Sequence, residues 1–211
     1  MIELDVDFLS YDRIATEASK FLSKFEYEDA IPVPIEKIVE YNLQADIVPI
    51  PGLQNVFDVE GATSSDLSTI YVDEFIYLNR PTRYRFTLAH ETGHIFLHEE
   101  YFRHFHFDSI DGWKEFQDEV DPDDYARLEY QCYAFGGLVL VPRHHLKVMF
   151  ENKLSEILPM IKKAQVMGVT KESYVDVAVD KMSSVLAPEF DVSTGVMVRR
   201  IQYDSLQSLI P

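Results

Sequence analysis

Apolar side chains recur at helical spacing from about Asp12 to Phe25, at Ile14, Ala18, Phe21, Leu22 and Phe25, and predict an amphipathic helix. The IPVP stretch at Ile31–Pro34 punctuates it, and a second helix is expected from Ile35 to about Tyr41. Ala45–Ile50 reads as a strand stopped by Pro49, Pro51 and Gly52, and Val56–Val59 and Ser68–Asp73 read as two more around a Gly61–Asp66 turn cluster. Asn79 and Pro81 are helix-start signals, after which the pattern is helical to about His98. Another helix spans about Asp124 to Leu140 and ends at Pro142. Three more follow, roughly at Leu154–Met167, Thr170–Leu186 and Ser193–Tyr203. This order predicts an α+β fold: a small mixed sheet packed against the His98-terminated helix and the Leu140-terminated helix, with a helical C-terminal part.

Charge divides the chain differently. Of 211 residues, 19 are Lys or Arg and 36 Asp or Glu, a net of −17. Residues 1–159 carry the whole excess, whereas 160–211 are balanced. The expected organisation is therefore an acidic core over 1–159 with a helical extension, 160–211, packed on it. Acidity peaks over Glu99–Asp124, where ten carboxylates face only Arg103 and Lys114. The aromatic residues interleaved there, among them Tyr101, Phe102, Trp113 and Phe116, predict a packed segment, either a solvated surface loop or a rim beside a functional site or partner surface. So acidic a surface argues against broad contact with nucleic-acid phosphate or anionic lipid. No apolar run is long enough to span a bilayer, the N-terminus lacks the basic start of a signal peptide, and the single Cys132 cannot form an internal disulfide. A cytoplasmic location with no membrane association is expected.

Candidate chemistry is concentrated at His90-Glu91-Thr92-Gly93-His94, an HExxH motif. On a helix, residues four apart share a face, so His90 and His94 can converge on one ion while Glu91 reaches a water beside it. On a helical wheel Arg83, Thr87, His90, Glu91, His94 and His98 fall within one arc of about 100°. The rest of that helix is mostly apolar, and a narrow polar stripe on a buried helix needs a partner such as a metal. A third ligand is required. His98 cannot supply it, since His90 and His98 stand about 12 Å apart along a straight helix. Glu129 on the next long helix is the leading candidate, with Tyr133 and Gly136 on its face and Gly136 allowing the two helices to approach closely. Glu119, Asp121, Asp123 and Asp124 compete with it.

RYRFTLAHETGHIFLH (Arg83–His98) and EYQCYAFGGLVLVP (Glu129–Pro142) together resemble the ImmA/IrrE family of metallo-endopeptidases. That family shows RxRFTxAHExGHxxLH followed by an E-x-x-A-N-x-F-A-A-x-L-L-x-P segment. PVPIEKIVEYNLQADIV (Pro32–Val48), a glycine near position 61, TIYVDE (Thr69–Glu74) and FDVSTGVMVRRI (Phe190–Ile201) extend the likeness over roughly residues 30–203. Cys132-Tyr133 stands where the family has Ala-Asn, and Gly136-Gly137 where it has Ala-Ala. Cys132 is read as a small buried residue, with soft metal ligation as the alternative.

The resemblance implies that His90, His94 and Glu129 are metal ligands and Glu91 the catalytic glutamate. The implied cofactor is Zn²⁺, with Mn²⁺ the other ion such a set accepts. Tyr133, Tyr130 and Arg83 are the further candidates for oxyanion or supporting roles, alongside His104, His106 and the His144-His145 pair. The family further implies a protease that cleaves a helix-turn-helix repressor or antitoxin. Its acidic body would steer toward the basic face of such a partner, with substrate added along Thr69–Asp73. Two other readings follow from the same residues. One is a metal-binding anti-repressor that inactivates its partner without cleavage. The other, a DNA-binding role for the paired C-terminal helices with Arg199-Arg200, is opposed by the absence of net positive charge there.

Overall fold

A computed structural model describes residues 2–102 and 110–211. The chain divides into two compact units, Met1–Leu140 and Val141–Pro211. The 159/160 boundary suggested by charge falls inside a continuous helix, Arg143–Val166, which carries Pro159 in its interior.

The first unit opens with an extended N-terminal segment and helix α1 (Tyr11–Lys24), started by the Ser10 hydroxyl accepting from the Arg13 N–H. Helix α2 (Ile35–Lys37) continues into a π-helical turn over Ile38–Leu43, followed by strand β1 (Asp46–Ile50). Helix α3 (Leu53–Phe57), strand β2 (Gly61–Thr63), strand β3 (Thr69–Asp73) and helix α4 (Glu74–Asn79) lead to α5 (Pro81–Leu97). Helices α6 (Glu99–Phe102), α7 (Ile110–Glu119) and α8 (Pro122–Leu140) complete the unit. The α+β plan with a small mixed sheet stands. Two local expectations do not. Val56–Val59 is no strand: Gly52 turns the chain at φ +73°, the Asp73 carboxylate accepts from the Gln54 N–H, and Val56 is exposed, so its apolar signal marks no buried face. The Gly61–Asp66 turn cluster starts instead with β2, because Gly61–Thr63 pairs antiparallel with β3.

Strand order is β1-β3-β2, with β1 parallel and β2 antiparallel to β3. β3 is therefore the central strand, hydrogen-bonded on both edges, and Thr69–Asp73 has no free edge to receive a peptide. The outer strand on the α5 side is β2, which packs against that helix.

Helices α5 and α8 make the most extensive contact of the unit. Gly136 and Gly93 permit it. A Cβ on Gly136 would sit 3.1 Å from the His90 backbone nitrogen, and one on Gly93 would sit 3.0 Å from Cys132 Cα. The backbones thus touch where the HExxH residues lie, as the Gly136 pattern predicts. Phe21 of α1, Phe96 of α5 and Phe135 of α8 lock the three helices, with ring centroids 5.2–5.8 Å apart. The N-terminal segment is clipped to α8 by Asp124, whose carboxylate accepts from the N–H groups of Leu4, Asp5 and Val6 at 2.9–3.1 Å. In α7, Trp113 and Phe116 pack with Ala62 of β2, so the acidic aromatic stretch is structured where it is described.

The second unit consists of α9 (Arg143–Val166), α10 (Lys171–Phe190) and α11 (Thr194–Tyr203), plus a short 3₁₀ turn at Leu206–Leu209. Thr170 and Ser193 cap α10 and α11 with their side-chain oxygens. Among the described residues no helix is long and apolar enough to cross a membrane.

Candidate metal centre

Helix α5 presents His90 and His94 one turn apart, their ring centroids 5.3 Å from each other. The close α5–α8 approach then brings in Glu129. Its Oε2 lies 3.3 Å from His90 Nε2 and its Oε1 lies 3.5 Å from His94 Nε2. One ligand atom from each of the three residues falls within 4.8 Å of the others. Tetrahedral ligands at zinc-like bond lengths stand about 3.4 Å apart, so these separations and the N, N, O donor set fit a metal ion. Burial opposes charge on both His90 and Glu129, but their mutual hydrogen bond and attraction outweigh it. His90 is raised and Glu129 falls well below the usual carboxylate range.

Glu91 is buried and stands apart from this trio, held on the sheet side of α5. Its Oε2 accepts from the Thr63 hydroxyl of β2 at 2.8 Å. The carboxylate is therefore oriented by the outer strand, with Oε1 left toward the Cα of Gly61, where a Cβ would come within 3.1 Å.

The remaining predicted residues separate by position. Arg83, 62% exposed, pairs with Glu60 just ahead of β2. Tyr133 lies one turn beyond Glu129 on α8, its ring edge-on to Phe86 at 5.0 Å, and is half-exposed, as is Tyr130. His104 and His106 lie outside the described residues. His144 and His145 begin α9 in the second unit. Of the competing carboxylates, Asp124 clips the N-terminal segment and Asp121 accepts from the N–H groups opening α8.

His98 sits behind His94 rather than beside the ion site. Its Nδ1 is 3.3 Å from His94 Nδ1, on the ring edge opposite Glu129, and burial with His94 alongside pulls its pKa down to about 3. Cys132 Sγ is 3.5 Å from the same His98 nitrogen, and burial pushes its thiol well up. His94, His98 and Cys132 thus form a second, fully enclosed donor group.

Three further residues of the site are not singled out by the sequence pattern. Thr63 lay in what read as a turn. Gln131, a buried amide, contacts His98 at 3.0 Å. Tyr125, one turn ahead of Glu129 on α8, accepts from the Gln117 amide. Burial and the Glu129 charge keep its hydroxyl protonated far above the usual tyrosine range. The i−4 spacing from Glu129 was the available signal for Tyr125.

The peptidase M78 family model, described as the IrrE N-terminal-like domain, matches residues 55–202. The chain belongs to this family. The matched span contains β2, the HExxH helix and the Glu129 helix, so every element of the convergent trio lies within the IrrE-like region. No curated protein matches the chain at a significant level. Membership in the IrrE-like family and the His-His-Glu geometry support a metallopeptidase-type function.

Proposed function

We propose that this IrrE-like protein is a cytoplasmic zinc-dependent endopeptidase that cleaves a helix-turn-helix repressor or antitoxin, with His90, His94 and Glu129 as the metal ligands and Glu91 as the catalytic base. The observation that carries the reading is the convergence of two imidazoles and a carboxylate on one point beside a glutamate held separately by Thr63. When bound, zinc supplies the Lewis acid that acidifies a water and polarises the scissile carbonyl. Mn²⁺ is the other ion this donor set accepts.

Glu91 does the proton work. With Oε2 engaged by Thr63, Oε1 takes the water proton and returns it to the leaving amine. Tyr125 keeps Glu129 in place through its protonated hydroxyl. An extended substrate lies along the outer strand β2 rather than along the enclosed β3. Helix α7, packed on Ala62, makes the acidic aromatic rim of that path. The unit holding the site carries the chain's whole acidic excess, the complement of a basic DNA-binding face.

The test is incubation with candidate helix-turn-helix repressors. Wild type is expected to cleave one of them and Glu91→Gln to leave it intact with metal still bound. Undiminished cleavage by Glu91→Gln contradicts the mechanism. Relief of repression by Glu91→Gln without cleavage would establish the non-catalytic anti-repressor instead.

A further inference from the structure

The enclosed group behind His94 has a donor–acceptor order that can be read outward from one backbone carbonyl. The Asp7 carbonyl in the N-terminal segment can only accept, and Gln131 Nε2 lies 2.7 Å from it. That contact turns the amide so that its oxygen, Oε1, faces His98 Nε2 at 3.0 Å. An amide oxygen also only accepts, so His98 Nε2 carries a hydrogen. His98 is fully buried between an amide and another imidazole, with no carboxylate on either ring nitrogen, and is therefore neutral with that single hydrogen. Its Nδ1 is then a bare acceptor. Two groups face that one lone pair, and His94 Nδ1, at 3.3 Å, is the nearer and the stronger donor, with the weakly donating Cys132 Sγ at 3.5 Å.

We propose that His98 and Gln131 are positioning residues that hold His94 as its Nδ1–H tautomer and so aim the bare Nε2 lone pair at the metal site. The inference rests on the metal-ligand reading of His90, His94 and Glu129. Its consequence is that His94 Nε2 and Glu129 Oε1, 3.5 Å apart, are two acceptors that a cation between them would join. The second donor group of His94, His98 and Cys132 is then occupied by a hydrogen bond, not by a second ion. Partners of this kind behind a ligating imidazole are worth about 10–100-fold in metal affinity.

The experiment reads the imidazole nitrogens of the ¹⁵N-labelled metal-free protein by NMR, at a pH where free histidines are neutral, and zinc affinity by competition with a chromogenic chelator. In wild type His94 is expected to show a protonated Nδ1 and a bare Nε2. In His98→Leu the proton should move toward Nε2 and zinc binding weaken about 10–100-fold. His98→Gln, which restores an acceptor oxygen, should recover most of that loss. Should His98→Leu fail to fold, Gln131→Met is the alternative, and it should weaken zinc binding with a smaller tautomer change. Cys132→Ala should leave zinc affinity and stoichiometry unchanged.

A wild-type His94 protonated on Nε2, or zinc affinity indifferent to His98→Leu and Gln131→Met, overturns the proposal. Two zinc ions per chain, one lost in Cys132→Ala, also overturns it by making the enclosed group a metal site. Wild-type protein that shows the Nδ1–H tautomer but binds no zinc refutes the peptidase reading and leaves the tautomer assignment standing.

Discussion

Each of the two units buries charge, and the two do so to opposite effect. In the second unit Arg200 is almost wholly enclosed. Its guanidinium donates to the Val141 carbonyl at 3.0 and 3.3 Å and pairs with Asp204 at 2.8 Å, and Asp204 in turn pairs with Arg143 at 2.9 Å. Burial pulls the Arg200 pKa down to about 10 while Asp204 pushes it up, so the guanidinium stays charged at neutral pH. Each charge of this cluster has an opposite partner. In the first unit His90, His94 and Glu129 each bring one ligand atom within 4.8 Å of the others, the convergence on which the proposed metal site rests. Burial of polar groups is therefore no mark of function by itself; what sets the first unit apart is that two imidazoles and a carboxylate converge on one point.

That contrast can be broken at several points. Glu91→Gln should lower peptide hydrolysis by about 10²–10⁴-fold, the range for a general base, without changing bound metal. Arg200→Met removes the buried guanidinium partner of Asp204 and leaves Asp204 with Arg143 alone. It should destabilise the protein by about 3–5 kcal/mol in a denaturant titration while metal affinity in the folded protein stays as in wild type. Thr63→Val removes a hydrogen bond to a charged group worth about 1.5–3 kcal/mol, so kcat should fall about 10-fold or more with stoichiometric metal retained.

The smallest effect concerns the N-terminal clip. Burial opposes the Asp124 charge, but the N–H groups of Leu4, Val6 and Asp5 and the Arg127 guanidinium hold its pKa below the usual 3.8. A depressed carboxylate contributes stability that is present above its unfolded pKa and is lost as pH falls through the lower folded value. Acid titration of wild type should therefore lose this contribution below about pH 4, whereas Asp124→Asn should lack it at every pH. Equal acid dependence in the two proteins would remove Asp124 from the account.

Helix α5 was legible because its six polar side chains share one arc of an apolar helix, and Glu129 because Gly136 shares its face. What stayed hidden depends on pairing across the chain. Gly61-Ala62-Thr63 has no strand alternation and becomes β2 only by bonding to β3, so Thr63 could not be connected to Glu91 in advance. The central place of β3 follows from the same pairing, which is why an added strand along Thr69–Asp73 was a reasonable but wrong expectation. Gln131 reads as an ordinary helical polar residue until the Asp7 carbonyl, 124 positions earlier, fixes its amide. Charge changes character at 159/160, but α9 runs through Pro159 to Val166 and the two units divide ahead of it, after Leu140.

The central claim is that the first unit's His-His-Glu trio holds a metal that the paired charges of the second unit do not require. Its most direct test is the metal content of purified wild type beside Glu129→Ala. One zinc equivalent per chain is expected in wild type, with loss of the bound ion in Glu129→Ala and the fold retained. Wild type without stoichiometric metal, or a Glu129→Ala protein that keeps its ion, would contradict it.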